Sequence, residues 1–280
     1  MSATWESPEP QQLPSVKTYQ WPVVFLRAAL LIVLVFGGLL VLLAVRMIER
    51  PICGVKRPVT PHITQFVCRN ALRLLGIGYS VSGTPITGRG AIVANHTSWM
   101  DIFTLNAAQR VYFVSKSEVA NWPGIGWLAR ATGTVFLERK RAQARKHTQV
   151  FEERLLAGHK LLFFPEGTST DGMQVLPFKT TLFQPFLSDE LRDMLVLQPV
   201  SVVYHAPKGA DRRHYCWWGD TAFAPHLLVT LASWRQGRVD VIYHPPLAVA
   251  DYQDRKALAR ACEGAVRSGY SAANNVDYSA

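Results

Sequence analysis

Between Ala28 and Val45 the chain carries no charged or strongly polar residue. A run of about 18 such residues approaches the length of helix that crosses a hydrocarbon core, and it reaches roughly 24 if it starts at Pro22 and tolerates Arg27. A cleaved signal peptide would have a shorter apolar region of roughly 7–15 residues, nearer Met1 and without a polar, proline-rich leader. The segment therefore reads as a retained membrane helix over residues 22–48, or as the first arm of a hairpin dipping into one leaflet with Thr60 to Leu75 as its second arm. Residues 1–21 have the composition of a disordered tail, and 49–80 read as a linker followed by an amphipathic membrane-surface helix. Arg46, Arg50, Lys56 and Arg57 follow the apolar run, against Lys17 and Arg27 before it. That positive excess places the bulk of the protein in the cytoplasm, anchored to the cell inner membrane.

The remainder alternates short apolar runs with helix-length segments. Strands are predicted at 91–94, 111–114, 134–137, 161–164, 196–203 and 239–243, and helices near 122–131, 142–157, 179–192 and 252–268. Strands separated by helices of that length imply an α/β fold, with a mixed, mainly parallel sheet covered by helices. One domain spans 81–270, and 271–280 reads as a C-terminal tail.

The net charge of +10 points to an anionic partner. No helix-turn-helix, zinc-finger or aromatic RNA-binding signature is present, so no nucleic acid is expected; beside an apolar anchor the anionic partner is a membrane surface. The densest basic cluster, Arg139-Lys140-Arg141 with Arg145-Lys146-His147, opens a predicted helix whose Glu152 and Glu153 suggest a solvated face. Cys53, Cys68, Cys216 and Cys262 include no Cys-x-x-Cys pair, and His205, His214 and Cys216 fit no ligand spacing. Neither a disulfide framework nor a metal site is expected.

Two loops carry chemistry. The first, Asn95-His96-Thr97-Ser98-Trp99-Met100-Asp101, follows the strand at 91–94 and delivers a histidine and an aspartate together. An aspartate that accepts the Nδ1 proton fixes the tautomer and leaves Nε2 as a base. No Gly-x-Ser-x-Gly elbow supplies a serine nucleophile, so the hydroxyl such a pair activates belongs to a substrate. On spacing alone, a surface loop with a helix-capping residue is the commoner outcome. The second loop, Pro165-Glu166-Gly167-Thr168-Ser169, closes the run Leu161 to Phe164 at the C-terminal edge of a sheet, where α/β folds place ligands. Glu166 is a candidate contact for a donor or polyol group, and the amides around Gly167 for a developing oxyanion; a plain turn with a solvated Glu166 is the other reading.

Together these segments resemble the glycerolipid acyltransferase family typified by the 1-acylglycerol-3-phosphate acyltransferases. His96 and Asp101 match its Asn-His-x-x-x-x-Asp block, and Phe164 to Thr168 its Phe-Pro-Glu-Gly-Thr block. Gly133 to Arg139 and Val196 to Val200 match its two other apolar blocks, so the likeness covers roughly Arg89 to Tyr204. It implies direct acyl transfer from an acyl-carrier protein or acyl-CoA thioester to a lysolipid hydroxyl. His96 is then the general base, Asp101 its orienter, and Arg139, Glu166, Gly167, Thr168 and Ser169 the substrate-binding residues, with no cofactor. One position departs: phosphate-recognising members carry Arg where this chain has Ser169, a loss of about 1.5–3 kcal/mol of charge-assisted contact. Around Ser169 to Gly172, Val175 to Lys179, Trp217 to Asp220 and His226 the chain is more similar to lyso-ornithine lipid O-acyltransferases, whose acceptor has no phosphate. The resemblance thus implies a lyso-aminolipid acceptor, with Asp220 meeting its amine. A lysophosphatidic acid acyltransferase relying on Arg139, and a non-catalytic lipid-binding scaffold, are the alternatives.

Overall fold

The computed structural model describes residues 5, 7, 11–137 and 144–274. The apolar run lies within one 33-residue helix, α1 (Trp21–Cys53), about 50 Å long at 1.5 Å per residue. Pro22 sits in its first turn, where a missing amide costs nothing, and Gly54 stops it at a φ of 58°. Leu26, Val33, Leu40 and Met47 are exposed along its outer side, far more contiguous apolar surface than a soluble monomer tolerates. α2 (Thr60–Leu75) packs against α1 and ends on Gly76 in the left-handed conformation.

The body follows as β1 (Gly78–Ser82), β2 (Gly90–Ala94), α3 (Asp101–Ala108), β3 (Tyr112–Lys116), α4 (Ile125–Thr132), β4 (Val135–Leu137), α5 (Ala144–Leu156), β5 (Leu161–Phe163), β6 (Val196–His205), α6 (Phe223–Ala232), β7 (Arg238–Tyr243), β8 (Leu247–Ala248) and α7 (Arg255–Asn274). The sheet runs β1-β7-β6-β2-β5-β3-β4, with β8 beside β6. Its neighbours are parallel except that β7 and β8 run antiparallel to β6. β2 lies at the centre, with Ile92 between Leu162 of β5 and Gln198 of β6. All five of its residues are buried, as a strand covered on both faces requires. Ile92 and Ala94 join a core shared with α1, α2 and α6, while Ala91 and Val93 face a second core built with α5 and α7. On α7, Leu258, Cys262, Val266 and Tyr270 recur every fourth residue and form the buried stripe.

Several elements differ from the sequence expectations, each for a physical reason. α2 turns Cys68, Leu72 and Leu75 into the sheet's core, so its apolar side is occupied by the protein and Phe66 is left outside. β1 begins at Gly78, ahead of the expected domain start at 81, because a two-residue link from Gly76 brings it directly beside β7. The helix expected at 179–192 is a 3₁₀ segment, Thr180–Leu187, since Pro185 removes an amide from its interior. α6 was not anticipated, and α7 continues to Asn274 because Tyr270 and Ala273 still meet the core. Gln11, within the supposed tail, donates to the Cys216 carbonyl at 2.7 Å and accepts from Thr221 Oγ1 at 2.7 Å, and Val16 packs on the first core.

Both ends of α1 rest on the body. At the start, Gln20 donates to the Ala232 carbonyl and Arg27 to those of Leu231 and Ser233. At the far end, Leu39, Leu43 and Arg46 share a cleft with Trp127 and Arg130 of α4. Leu72→Ala, removing a fully enclosed side chain beneath this hairpin, is expected to destabilise the detergent-solubilised protein by about 2–5 kcal/mol in denaturant titrations. Phe66→Ser on the outer side changes stability by less than about 0.5 kcal/mol.

Candidate active site

β2 ends at Ala94 and delivers His96 into the loop before α3, whose first residue is Asp101. His96 Nδ1 lies 2.7 Å from Asp101 Oδ2. That oxygen also accepts the amides of Thr97 at 2.9 Å and Ser98 at 3.1 Å. Asp101 Oδ1 accepts the Tyr204 hydroxyl at 2.8 Å, from the end of β6. The carboxylate is fully buried with no lysine or arginine of the described residues against it, and it is held by these four donors and the N-terminus of α3. Burial and the charge of Asp101 push the Tyr204 phenol well above its ordinary range, so it stays a donor.

Asp101 therefore requires a proton on Nδ1 and leaves Nε2 of His96 as the free lone pair. Nε2 makes no hydrogen bond among the described residues, and the side chain is 22 % exposed. The ring plane is set by Phe164, stacked at 4.1 Å, which itself stacks on Phe113. Trp99 pins the other side of the loop by donating Nε1 to His226 Nδ1 at 2.9 Å. Burial lowers the His226 imidazole to about 4, keeping it the neutral acceptor this bond needs.

The second loop docks on the first through Glu166. One carboxylate oxygen accepts the His96 amide at 2.7 Å and the other the Leu176 amide at 2.8 Å. Glu166 is 2 % exposed, and its two oxygens are engaged within the protein, which leaves it bracing the loops instead of facing a donor or polyol. Burial, assisted by nearby Asp101, outweighs the two amides and raises its carboxyl to about 8. Gly167 has a φ of 72°, and a Cβ there would collide with Lys179. Its amide donates to the Phe164 carbonyl, and the Thr170 amide to the His96 carbonyl. The amides of Thr168 and Ser169 between them make no hydrogen bond among the described residues.

Ser169 is buried beside this loop, with Thr168 half-buried. The Trp217 amide donates to the Thr97 carbonyl, bringing the segment Trp217 to Thr221 against the histidine loop, with Asp220 exposed in its turn. Arg139, like Lys140 and Arg141, lies outside the described residues. His205, His214 and Cys216 do not converge: His205 meets Asp240, His214 meets Ser233, and Cys216 is buried. Tyr204, Phe164 and His226 are the parts of the site that spacing did not reveal as such. Tyr204 was visible only as the residue after an apolar strand, and its partner lies 103 residues earlier.

The acyltransferase family pattern matches residues 80–203. The chain is 57 % identical over 244 residues to the lyso-ornithine lipid O-acyltransferase of Rhodobacter capsulatus, covering 87 % of this chain and 88 % of that protein. This chain belongs to the acyltransferase family. The acyltransferase is closely related to the lyso-ornithine lipid O-acyltransferases; that of Brucella abortus is 37 % identical over 223 residues, 74 % of this chain and 81 % of the relative. Its fold is that of the 1-acyl-sn-glycerophosphate acyltransferase PlsC of Thermotoga maritima, with a TM-score of 0.64 at 21 % identity over 92 % of this chain and 96 % of that one.

Glu166 makes the stability of this acyltransferase depend on pH. Between its ordinary 4.5 and about 8 the folded protein holds a proton that the unfolded chain has released, so this contribution is full below 4.5 and is lost as pH rises toward 8. Thermal melts across that window are expected to show this decline in the parent protein and a flatter profile in Glu166→Gln. Tyr204→Phe, which strips one donor from a buried carboxylate, is expected to cost about 1–3 kcal/mol in the same melts.

Proposed function

We propose that this acyltransferase moves an acyl chain from an acyl-carrier protein or acyl-CoA thioester to the hydroxyl of a lyso-aminolipid such as lyso-ornithine lipid, with His96 as general base. The observation that carries the reading is the 2.7 Å contact of His96 Nδ1 with Asp101, which leaves Nε2 open beside the second loop. The acceptor hydroxyl gives its proton to Nε2 as its oxygen attacks the thioester carbonyl. The carbon–sulfur bond then breaks, and the imidazolium returns the proton to the departing thiolate. Asp101 orients His96 and stabilises the imidazolium; the amides of Thr168 and Ser169, unbonded among the described residues, are suited to the developing oxyanion. Glu166 acts as a positioning residue through the His96 amide.

The acceptor assignment rests on Ser169. A buried serine replaces a guanidinium where phosphate-recognising members hold their acceptor, and exposed Asp220, close in sequence to Trp217 on the histidine loop, suits a cationic amine. Lysophosphatidic acid is the competing acceptor. We place the enzyme on the cytoplasmic face of the inner membrane. A helix held to the body at both ends, with its outer side apolar, fits seating in one leaflet better than a span leading away from the domain.

His96→Ala is expected to lower turnover by roughly 10²–10⁴-fold in a protein that still melts cooperatively, at a stability cost like that of Tyr204→Phe because the same buried carboxylate loses a donor; unchanged turnover would remove the mechanism. In a competition assay with acyl-carrier protein thioester and both lysolipids, the parent enzyme should favour lyso-ornithine lipid. Ser169→Arg should move the ratio toward lysophosphatidic acid. Faster acylation of lysophosphatidic acid by the parent enzyme overturns the acceptor assignment.

A further inference from the structure

Away from the catalytic loop, the C-terminal end of α1 meets α4 and α5 around a cleft of roughly 850 Å³. Five guanidiniums line it: Arg46, Arg50, Arg57, Arg130 and Arg154. Glu153 is the acid in its lining. Glu49 lies beneath Arg46 at 3.1 Å and also accepts the amides of Val59 and Thr60 and the Thr60 hydroxyl. The remaining partners are neutral. Arg57 donates to the Ala131 carbonyl, Arg130 to the Ala120 carbonyl, and Arg154 to the Gly133 carbonyl and to His159 Nδ1. These bonds orient the guanidiniums without neutralising them. The guanidinium of Arg50 makes no hydrogen bond or ion pair among the described residues.

The cluster is electrostatically uncomfortable as it stands. Burial, reinforced by repulsion from its neighbours, lowers Arg57 and brings Arg154 down to about 10. The same causes hold the His159 imidazole near 3. An adjoining cleft shares Arg57 and adds Lys56, Arg110 and Lys160, extending the positive field. An isolated protein gains nothing from gathering so many like charges around a hollow; an anion placed there relieves them.

The rest of the lining states what kind of anion. Leu39 and Leu43 come from the apolar length of α1, and Trp127 projects 62 % exposed from α4. An apolar wall running into a ring of guanidiniums, with an indole between, is the pattern of a membrane–water interface. It suits a ligand with hydrocarbon at one end and a phosphate at the other. The cleft also stands apart from the catalytic centre. Arg154 lies over the ring of Tyr112, the first residue of β3, whereas His96 follows the last residue of β2. β3 and β2 both run parallel to β5, so these are opposite edges of the sheet.

We propose that this cleft binds the phosphate headgroup of an anionic membrane phospholipid, as a site separate from the one that takes the acceptor lipid. The phosphodiester sits among Arg46, Arg50, Arg57 and Arg130, and one acyl chain follows Leu39 and Leu43 along α1. The site fixes the depth and tilt of the enzyme in the leaflet. It depends on the membrane seating described above and not on which lysolipid is acylated.

The test is ligand-induced stabilisation of the full-length, lipid-depleted protein in neutral detergent, followed by thermal unfolding. The probes are short-chain phosphatidylglycerol, phosphatidylcholine with the same chains, inorganic phosphate and coenzyme A. Phosphatidylglycerol is expected to raise the midpoint saturably, while phosphatidylcholine and inorganic phosphate do not. Arg50→Gln with Arg130→Gln should weaken that response at least about tenfold. Lys256→Gln with Arg260→Gln, which removes the same charge from the exposed side of α7, should leave it within about twofold. Both double variants are exposed-surface changes, and their unliganded melts report whether they fold; if the first does not, Arg50→Gln alone carries the comparison. Equal loss in both double variants means diffuse surface attraction and overturns the site. Coenzyme A or phosphate matching phosphatidylglycerol overturns the lipid assignment. An acceptor other than lyso-ornithine lipid leaves all of these results unchanged.

Discussion

A carboxylate sealed from water, with no lysine or arginine beside it among the described residues, is the point on which this enzyme's site turns. Asp101 is held by two amides of its own loop, by the N-terminus of the helix it begins, by Tyr204 and by His96. All of those contacts are supplied by the protein itself. An unpaired buried charge is costly, so the loop has little freedom to adopt any other conformation. Histidine orientation is thus a by-product of satisfying the aspartate. Phe164 and Trp99 then restrict what remains, one fixing the plane of the ring and the other the path of the backbone.

Much of this was legible in the sequence, and the parts that were not share a cause. The strands from β2 to β7 were visible as apolar runs because a doubly covered parallel sheet needs side chains that are apolar on both faces. The pairing of His96 with Asp101 was visible because it is local. Glu166 was singled out for the right loop, yet its task was misread. A glutamate after a strand looks the same in sequence whether it meets solvent, a ligand or two amides, and only the packing of Leu176 and His96 around it decides. Pro185 could have warned against the helix expected at 179–192, whereas nothing in residues 5–20 announces that polar side chains there will bond loops more than 160 residues away.

The membrane segment changes meaning once its neighbours are known. Composition describes a spanning helix, but Arg27 and Gln20 are tied to carbonyls at the end of α6, and the other end shares a cleft with α4. Arg27, the one charge that interrupts the apolar run, is therefore a bolt between helix and body. The hairpin of α1 and α2 is part of the core and not an appendage: Val24, Cys68, Leu72 and Leu75 bury against the same sheet that carries the catalytic loop. The apolar hairpin and the loop that carries His96 consequently share one hydrophobic core.

The bonds that complete the site also set an order on its making. His96 and Asp101 leave the ribosome five residues apart, but the brace from Glu166 comes 70 residues after His96 and the clamp from Tyr204 comes 103 after Asp101. Gln11 waits 210 residues for Thr221. Between Asp101 and Glu166 the nascent chain thus has its apolar helix and the His96–Asp101 pair but none of the long-range contacts that brace them. α1 is therefore complete well before the contacts that close the histidine loop can form, so the apolar helix precedes the finished site beside which it packs.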